Sequence, residues 1–230
     1  MKTETYTNQC VAAYFARSVQ PPAAHNYRLP AMAALLVSAV IPALAGAAHV
    51  DGRSTYHAPK ASISPVIDGV ADEAIWEQAQ WREIAYRWLG PEYSAEDFQG
   101  RFKVVWTEDR LYILTEIIDD VLMDGHRDPL EQYWDDDTLE IFIDEDFSGG
   151  NHQFSHNAFA YHVSLDNQTI DIGTDERPRN YSSHVESRWR QTGNAIVWEL
   201  AISIYADTYI DGSNRNTPVA LIADKQMGLM

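Results

Sequence analysis

The chain has 230 residues, of which 45% are hydrophobic and 11% aromatic, enough for one globular domain with a sizeable core. Its 17 Lys and Arg stand against 34 Asp and Glu, and the formal net charge of −17 argues against nucleic acid and anionic membrane surfaces as partners. This balance suits a neutral or cationic ligand or bound divalent cations, and the single cysteine, Cys10, excludes an intrachain disulfide.

The first distinctive stretch is an uncharged apolar run at residues 31–45, which follows Arg28 and precedes several small residues. The run is short for a bilayer span, and Pro42 together with the lack of a polar face argues against a core helix. This layout is typical of a secretory signal, although the segment before it is long for one. We predict that residues 1–47 are an N-terminal extension and signal segment, cleaved near Ala45 or Ala47.

Removal of this segment would leave a mature protein with a net charge of about −19. We expect that protein to be secreted, periplasmic or held at the cell surface, without stable membrane insertion. Residues 48–65 form a polar leader, and residues 66–230 form the predicted functional domain.

One short helix is predicted at residues 71–79, where Asp72 and Glu73 lie near the start and the helix dipole favours them. Trp76 in this helix is predicted to be a core anchor that closes one end of the fold.

Strand segments follow in quick succession. Residues 111–118 are apolar on both faces, which predicts a central strand, and Gly193 with Asn194 predicts a hairpin between residues 186–191 and 195–205. Further strands are predicted at residues 101–107, 138–144, 158–165 and 218–223. This pattern predicts an all-β fold, an antiparallel β-sandwich of the jelly-roll or immunoglobulin-like type with one short N-terminal helix.

The last residues, 226–230, look like part of another strand. A strand that stops at Met230 would leave a partner or an edge unpaired, so we expect the domain at residues 66–230 to be truncated at its C-terminus.

The most informative stretch is residues 133–146, YWDDDTLEIFIDED. Its alternation places Glu140 and Phe142 on the face opposite a core formed by Leu139, Ile141 and Ile143. A carboxylate beside an aromatic ring predicts a partly covered polar cleft, and Trp134, just before the strand, is positioned to lie over it.

Two polar residues of the next strand share the corresponding face. In residues 158–165, Phe159, Tyr161, Val163 and Leu165 are predicted to point inward, with His162 and Ser164 on the other face. If this strand pairs with residues 138–144, then Glu140, His162 and Ser164 form one polar floor. Sugars need this combination of a flat apolar ring and charged acceptors for their hydroxyls.

Each of these residues also has a structural interpretation. Trp134 could pack in the core, although the neighbouring residues 135–137, all Asp, belong at a surface. Glu140 could form a salt bridge with Arg or Lys on an adjacent strand, and His162 alone is more often structural than ligand-binding.

Four sequence blocks, in order, resemble the family 9 carbohydrate-binding modules of the DOMON-like superfamily. They are residues 67–69 with Asp72 and Trp76; residues 105–112; the central set Trp134, Asp137, Thr138, Leu139, Glu140, Ile141, Phe142, Ile143 and Asp144; and residues 198–202. The resemblance implies a jelly-roll-like sandwich, no catalysis, and binding of mono-, oligo- or polysaccharide ends.

By the same resemblance, Trp134 stacks on the sugar, Glu140 accepts hydrogen bonds from its hydroxyls, and His162 and Ser164 correspond to polar residues of the next strand. The ligand-binding set is therefore Trp134, Glu140, His162 and Ser164. The sequence departs from the family in two ways. It stops before the region that supplies a second stacking tryptophan, and His and Ser replace a longer polar pair. The identity of the bound sugar therefore stays open, as does the question of whether a glycoside hydrolase accompanies the domain.

Other functions remain open at this point. Glycoside hydrolysis needs two carboxylates roughly 5 to 9.5 Å apart, and Glu140 and Asp144 are about 13 Å apart along one strand, which leaves Glu116 as a possible partner. Haem b binding would use Met123 with His126 or His162. An adhesion or interaction domain is a third possibility.

Clustered carboxylates in the acidic loops predict a structural calcium ion, because hard cations take several oxygen ligands. The candidate ligands are Asp119, Asp120, Asp144 and Asp146.

Overall fold

The computed structural model describes residues 14–16, 54–86, 92–150 and 153–230. The predicted signal run and its cleavage site lie outside these residues. The described chain forms two antiparallel β-sheets packed face to face, which confirms the predicted all-β sandwich. No helix in the described part of the chain is long and apolar enough to span a membrane.

The first sheet has the strand order β1-β5-β6-β7-β8, and β11 also pairs with β5. Its strands are β1 (Tyr14–Ala16), β5 (Thr138–Asp144), β6 (Phe159–Ser164), β7 (Thr169–Ile172), β8 (Pro178–Asn180) and β11 (Gly228–Leu229). The second sheet has the order β2-β3-β4-β10-β9. Its strands are β2 (Arg82–Glu83), β3 (Phe98–Trp106), β4 (Leu111–Asp119), β9 (Val185–Thr192) and β10 (Ala195–Ile202).

The core lies between the sheets and follows the alternation of the strands. From the first sheet it contains the predicted inward side chains of β5 and β6, and from the second sheet it contains alternate residues of β3, β4 and β10. The buried residues at its centre include Leu139, Ile141, Tyr161, Val163, Ile196, Trp198 and Leu200, each at most 1% exposed. Since successive strand residues point to opposite faces, the same alternation turns Glu140 and His162 away from this core.

The predicted helix is shorter and tighter than an α-helix. It is a 3-10 helix, Ala74–Gln78, bounded by extended backbone at Glu73 and Ala79, and the Trp76 amide donates to the Glu73 carbonyl at 3.0 Å. Short helical segments of this kind often take the 3-10 form, which closes i→i+3 hydrogen bonds. Trp76 is 3% exposed, which confirms that it is a buried anchor, but it packs on the outer face of the second sheet and does not close one end of the inter-sheet core.

The central strand and the hairpin are also as predicted. β4 lies between β3 and β10, and β9 and β10 form a hairpin whose turn contains Gly193 at a φ of +64°. Gly adopts this left-handed backbone without a steric penalty.

The prediction of a strand at residues 218–223 is wrong. The Val219 amide bonds to the Ile204 carbonyl and the Leu221 amide to the Glu108 carbonyl, so the segment bridges two different elements instead of forming a ladder with one. Residues 226–230 do contain a strand, β11, which pairs with β5 opposite Asp144 and Ile143. Truncation of the domain stays a prediction.

Candidate functional site

The floor of the candidate site is formed by the pairing of β5 with β6. Their register places Glu140 opposite His162 and Thr138 opposite Ser164, on the outer face of the first sheet. The pairing and the shared face of Glu140, His162 and Ser164 are therefore as predicted.

Glu140 and His162 form a buried pair. Their side chains are 14% and 11% exposed, and the Glu140 Oε1 atom lies 3.4 Å from the His162 Nε2 atom. His162 Nδ1 donates to the Ala160 carbonyl at 2.9 Å, so Nε2 of the neutral ring has no hydrogen and faces Glu140 as an acceptor.

The pair is not a salt bridge at neutral pH. Burial raises the pKa of Glu140 to about 7. Burial lowers the pKa of His162 to about 4, despite its backbone hydrogen bonds. Desolvation penalises both charged forms, and an N–O distance of 3.4 Å is too long to offset it. The floor thus presents a neutral imidazole beside a carboxyl group that titrates near pH 7.

A row of rings crosses this floor. The Tyr133 ring lies 4.7 Å from the His162 ring and 4.9 Å from the Trp134 ring, both nearly perpendicular, and Phe142 is 6.4 Å from His162. Burial, with Asp171 and Glu140 as neighbouring charges, raises the pKa of Tyr133 to about 12. Trp134 is 52% exposed, which argues against core packing and leaves part of its surface free for a ligand.

A small cleft of about 40 Å³ opens beside the row. Tyr133, Thr138, His162 and Ser164 line it, together with Asp124, His126, Arg127, Asp128, Pro129, Glu131, Asp136, Asp166 and Ile170. Of the predicted binding residues, the structure thus places His162 and Ser164 in the cleft lining. Trp134 contacts Tyr133 at its side, and Glu140 lies next to His162 outside the lining. The sequence prediction missed Tyr133 and Thr138, although Tyr133 precedes Trp134 directly and Thr138 shares the alternating face of Glu140.

Carboxylates at the acidic wall of the cleft accept hydrogen bonds from backbone amides and so hold the loop in place. Asp136 accepts from the Gly125 amide at 2.7 Å and the His126 amide at 3.0 Å, and its Oδ1 lies 3.2 Å from His126 Nδ1. Burial alone would raise the pKa of Asp136, but these hydrogen bonds outweigh it and the pKa is lowered. Asp137 accepts from the Met123 amide at 2.7 Å. Two of the three consecutive aspartates therefore fix the loop.

Two hydroxyls of the floor differ in how they are bonded. The Ser164 Oγ atom is hydrogen-bonded to Asp166, and it lies 3.1 Å from the Gln168 carbonyl. Thr138 is 1% exposed, and its Oγ1 has no hydrogen-bond partner among the described residues. A buried hydroxyl without a partner is costly, so Thr138 retains hydrogen-bonding capacity that a ligand in the cleft can use.

The geometry does not favour the alternative functions. Glu116 belongs to β4 of the second sheet and pairs with Arg101, so it is not a partner for Glu140 across a glycosidic bond. The ring of His126 is held by Asp136, so this histidine is not a ready haem ligand.

The predicted calcium ligands lie in two places. Asp144 ends β5 and accepts from the Gly149 amide at 2.7 Å, and Asp146 accepts from the Ser148 amide at 3.1 Å. Asp119 ends β4 in the other sheet. Among the described residues, no group of three or more His, Cys, Asp or Glu is arranged to hold a metal ion. The buried Asp144 Oδ1 has no hydrogen-bond partner there, which fits a cation ligand, and calcium stays a prediction.

Comparison with known proteins gives consistent matches. Residues 67–230 match the model of the family described as carbohydrate family 9 binding domain-like. The chain is 30% identical over 126 residues to endo-1,4-beta-xylanase A of Thermotoga maritima, covering 54% of this chain and 11% of the xylanase. It is 34% identical over 82 residues to the enzyme of the same name from Thermotoga neapolitana, covering 36% of this chain and 7% of that protein.

The chain therefore spans only a small part of these curated relatives. Among solved structures, a family 9 carbohydrate-binding module from Caldicellulosiruptor kristjanssonii, in complex with glucose, superposes with a TM-score of 0.50 at 22% identity and covers 74% of each chain. This similarity supports the sandwich fold.

Proposed function

Because the chain belongs to the carbohydrate family 9 binding domain-like family, we propose that the outer face of its first sheet binds sugars at the ring row and cleft, without converting them. The protein is a non-catalytic carbohydrate-binding domain. Its ligand is a mono-, oligo- or polysaccharide whose ring stacks on Trp134 and whose hydroxyls reach the cleft floor.

The observation that supports this site most strongly is the position of the Tyr133–Trp134 ring pair next to the Glu140–His162 floor. A sugar ring has C–H faces that stack on aromatic rings, and stacking contributes roughly 0.5 to 1.5 kcal/mol beyond burial. Its hydroxyls donate to acceptors such as the Glu140 carboxylate and the unprotonated His162 Nε2, and hydrogen bonds to charged groups contribute roughly 1.5 to 3 kcal/mol.

Titration calorimetry with glucose and short glucose oligomers tests this function. Glucose is the first probe because it is the sugar bound in the related module from C. kristjanssonii. Trp134→Ala should weaken binding about tenfold from lost stacking, and more once the lost contact area is included. Tyr86→Ala is the matched control, since Tyr86 is 68% exposed and follows β2 of the other sheet. Equal affinity in folded Trp134→Ala and wild-type proteins would remove Trp134 from the site.

The absence of turnover is tested separately. Incubation of the whole chain with cellulose or xylan should release no reducing sugar above that of a heat-inactivated sample. Release that depends on Glu140 would make the protein a hydrolase instead.

We propose that the protein is exported, with removal of residues 1–47, which would also remove the short strand β1 from its pairing with β5. The support is the uncharged run at residues 31–45 followed by small residues, together with the part shared with two xylanases. Intact-mass measurement of secreted protein tests this. A mature N-terminus that retains Leu35 and Leu36 would contradict it.

We also propose a structural calcium ion at the end of β5, where Asp144 and Asp146 lie close together and the Asp144 Oδ1 is buried without a partner among the described residues. Carboxylate oxygens are the ligands that calcium prefers. Chelation should lower the melting temperature of the wild-type protein and leave that of Asp144→Asn unchanged. An unchanged wild-type melting temperature would contradict the proposal.

A further inference from the structure

We propose that the cleft selects sugars by charge, favouring amino sugars with a protonated amine over neutral sugars and disfavouring uronic acids. This inference rests on the proposed function, because it names the class of sugar that the same site prefers. It is carried by three features of the cleft: uncompensated carboxylates on its wall, a floor rich in hydrogen-bond acceptors, and an unpartnered buried hydroxyl.

The wall of the cleft carries an excess of negative charge. Five carboxylates line it, from Asp124, Asp128, Glu131, Asp136 and Asp166, against one guanidinium, that of Arg127. His126 also lines the cleft, but its ring is held by Asp136.

Two of these carboxylates are exposed and form no hydrogen bond or ion pair with the described residues. Asp136 and Asp166 are occupied by hydrogen bonds within their loops, and Asp128 caps the Leu130 amide at 3.0 Å. Asp124 and Glu131 are exposed, and their carboxylates form no hydrogen bond or ion pair within the described part of the chain. These two groups are therefore free to attract a cation that enters the cleft.

The floor of the cleft requires donors from its ligand. The His162 Nε2 atom is an acceptor, because His162 already uses its Nδ1 hydrogen on the Ala160 carbonyl. The carboxylate of Glu140, next to His162 at the edge of the cleft lining, is a second acceptor. An ammonium group is a pure donor with three hydrogens, whereas a sugar carboxylate is a pure acceptor. A protonated amino sugar can donate its ammonium hydrogens to these acceptors, and a neutral sugar can donate only its hydroxyl hydrogens. The carboxylate of a uronic acid is itself an acceptor and would face the protein acceptors without a hydrogen to share.

The independent sign that the cleft takes a polar ligand is Thr138. Its hydroxyl is buried at the floor and has no partner among the described residues, so a ligand oxygen or nitrogen would satisfy it. The net charge of −17 acts in the same direction at longer range, since it raises the local concentration of cations.

The experiment compares four sugars of one ring shape: glucosamine at a pH where its amine is protonated, N-acetylglucosamine, glucose and glucuronic acid. Calorimetric titration at low salt should give the tightest binding for glucosamine and the weakest for glucuronic acid, with about fivefold between glucosamine and glucose. N-acetylglucosamine controls for the size of the C2 substituent without its charge. Raising the salt concentration should reduce the spread.

A double variant, Asp124→Asn with Glu131→Gln, should lower the ratio of glucosamine affinity to glucose affinity. The control double variant, Glu77→Gln with Asp207→Asn, removes the same charge at exposed positions outside the cleft lining and should keep the preference.

The outcomes separate the two proposals. Equal affinities for glucosamine, glucose and glucuronic acid would overturn charge selection and leave sugar binding in place. A preference for glucuronic acid that is lost in Arg127→Gln would also overturn it, because the guanidinium would then dominate the cleft. Failure of the folded protein to bind any sugar would contradict the proposed function itself.

Discussion

Two groups of Tyr, His and carboxylate side chains lie on opposite faces of β6, and they differ in whether their polar atoms are already bonded within the protein. On the inner face is a closed cluster, which consists of His156, Tyr161, Tyr181, His184, Tyr209 and Asp211. On the outer face is the candidate site, which consists of Tyr133, Trp134, Thr138, Glu140 and His162.

In the closed cluster, protein groups bond to one another. Tyr161 and Tyr209 hydroxyls lie 2.9 and 3.0 Å from the two ring nitrogens of His184. Tyr181 donates to Asp211 at 2.7 Å, and His156 Nε2 lies 3.2 Å from the other oxygen of Asp211. Such a network stabilises the core and leaves little capacity for a ligand.

In the candidate site, some hydrogen-bonding capacity of the side chains is unused. The Thr138 hydroxyl has no partner among the described residues, Glu140 and His162 face each other at a long 3.4 Å, and half of Trp134 is exposed. Residue types therefore do not separate the binding site from the structural network in this protein. The two groups differ in how many hydrogen bonds their polar atoms already form within the protein.

The largest expected effect is on stability, from breaking the closed cluster. His184→Ala leaves the Tyr161 and Tyr209 hydroxyls without their partner and creates a cavity, which should lower the free energy of unfolding by about 3 kcal/mol. Denaturant unfolding measures this, and His57→Ala, at an exposed position, is the control that should change it little.

Sugar affinity of the folded His184→Ala protein should equal that of the wild type. A stable variant with lost sugar binding would place the functional site in the closed cluster.

The next largest effect is on sugar affinity, from Glu140→Gln. The neutral amide keeps the shape but is a poorer acceptor, so affinity above pH 7 should fall about tenfold or more. Because the pKa of Glu140 is raised to about 7, wild-type affinity should increase as the pH rises through 7, and the variant should lose this pH dependence. A wild-type affinity that is flat from pH 6 to 8 would contradict this assignment.

Stability should respond to the same titration with the opposite sign. A carboxyl group whose folded pKa is raised above its unfolded value favours the protonated folded state. The contribution of Glu140 to stability is therefore full below its ordinary pKa of 4.5 and is lost as the pH rises through about 7. At pH 8, Glu140→Gln should unfold at a temperature equal to or higher than that of the wild type, and a clearly lower melting temperature would contradict burial as the cause.

The smallest effects distinguish the two hydroxyls of the floor. Thr138→Val removes an unpartnered hydroxyl, so stability should be unchanged or raised while sugar affinity falls about fivefold. Ser164→Ala removes a hydroxyl that is already bonded to Asp166 and lies near the Gln168 carbonyl, so affinity should fall by about twofold or less. Calorimetry on both variants tests this order, and a larger loss in Ser164→Ala would reverse it.

Much of the fold is predictable from the sequence because alternation is a local signal. The inward faces of β5 and β6 are predicted correctly, as are the central position of β4 and the hairpin at Gly193. The errors occur in segments whose local composition does not determine their secondary structure. Residues 74–78 have helical composition but form a 3-10 turn, and residues 218–223 have strand composition but bond to two separate segments.

The site is predictable only in part. Alternation places Glu140, His162 and Ser164 on one face, and the pairing of β5 with β6 brings them together. The sequence does not reveal that Tyr133 lines the cleft or that Asp136 clamps the loop at Gly125, because both depend on contacts outside the strand pattern. It also does not reveal that Ser164 is occupied and Thr138 is not, since that depends on the turn after β6.

The most direct test of the account is a sugar titration followed by the ring signals of two histidines, His162 in the candidate site and His184 in the closed cluster. With glucose added at constant pH, nuclear magnetic resonance should show a saturable shift of the His162 ring signals and unchanged His184 signals. Glucose binding that shifts His184 and leaves His162 unchanged would contradict the account.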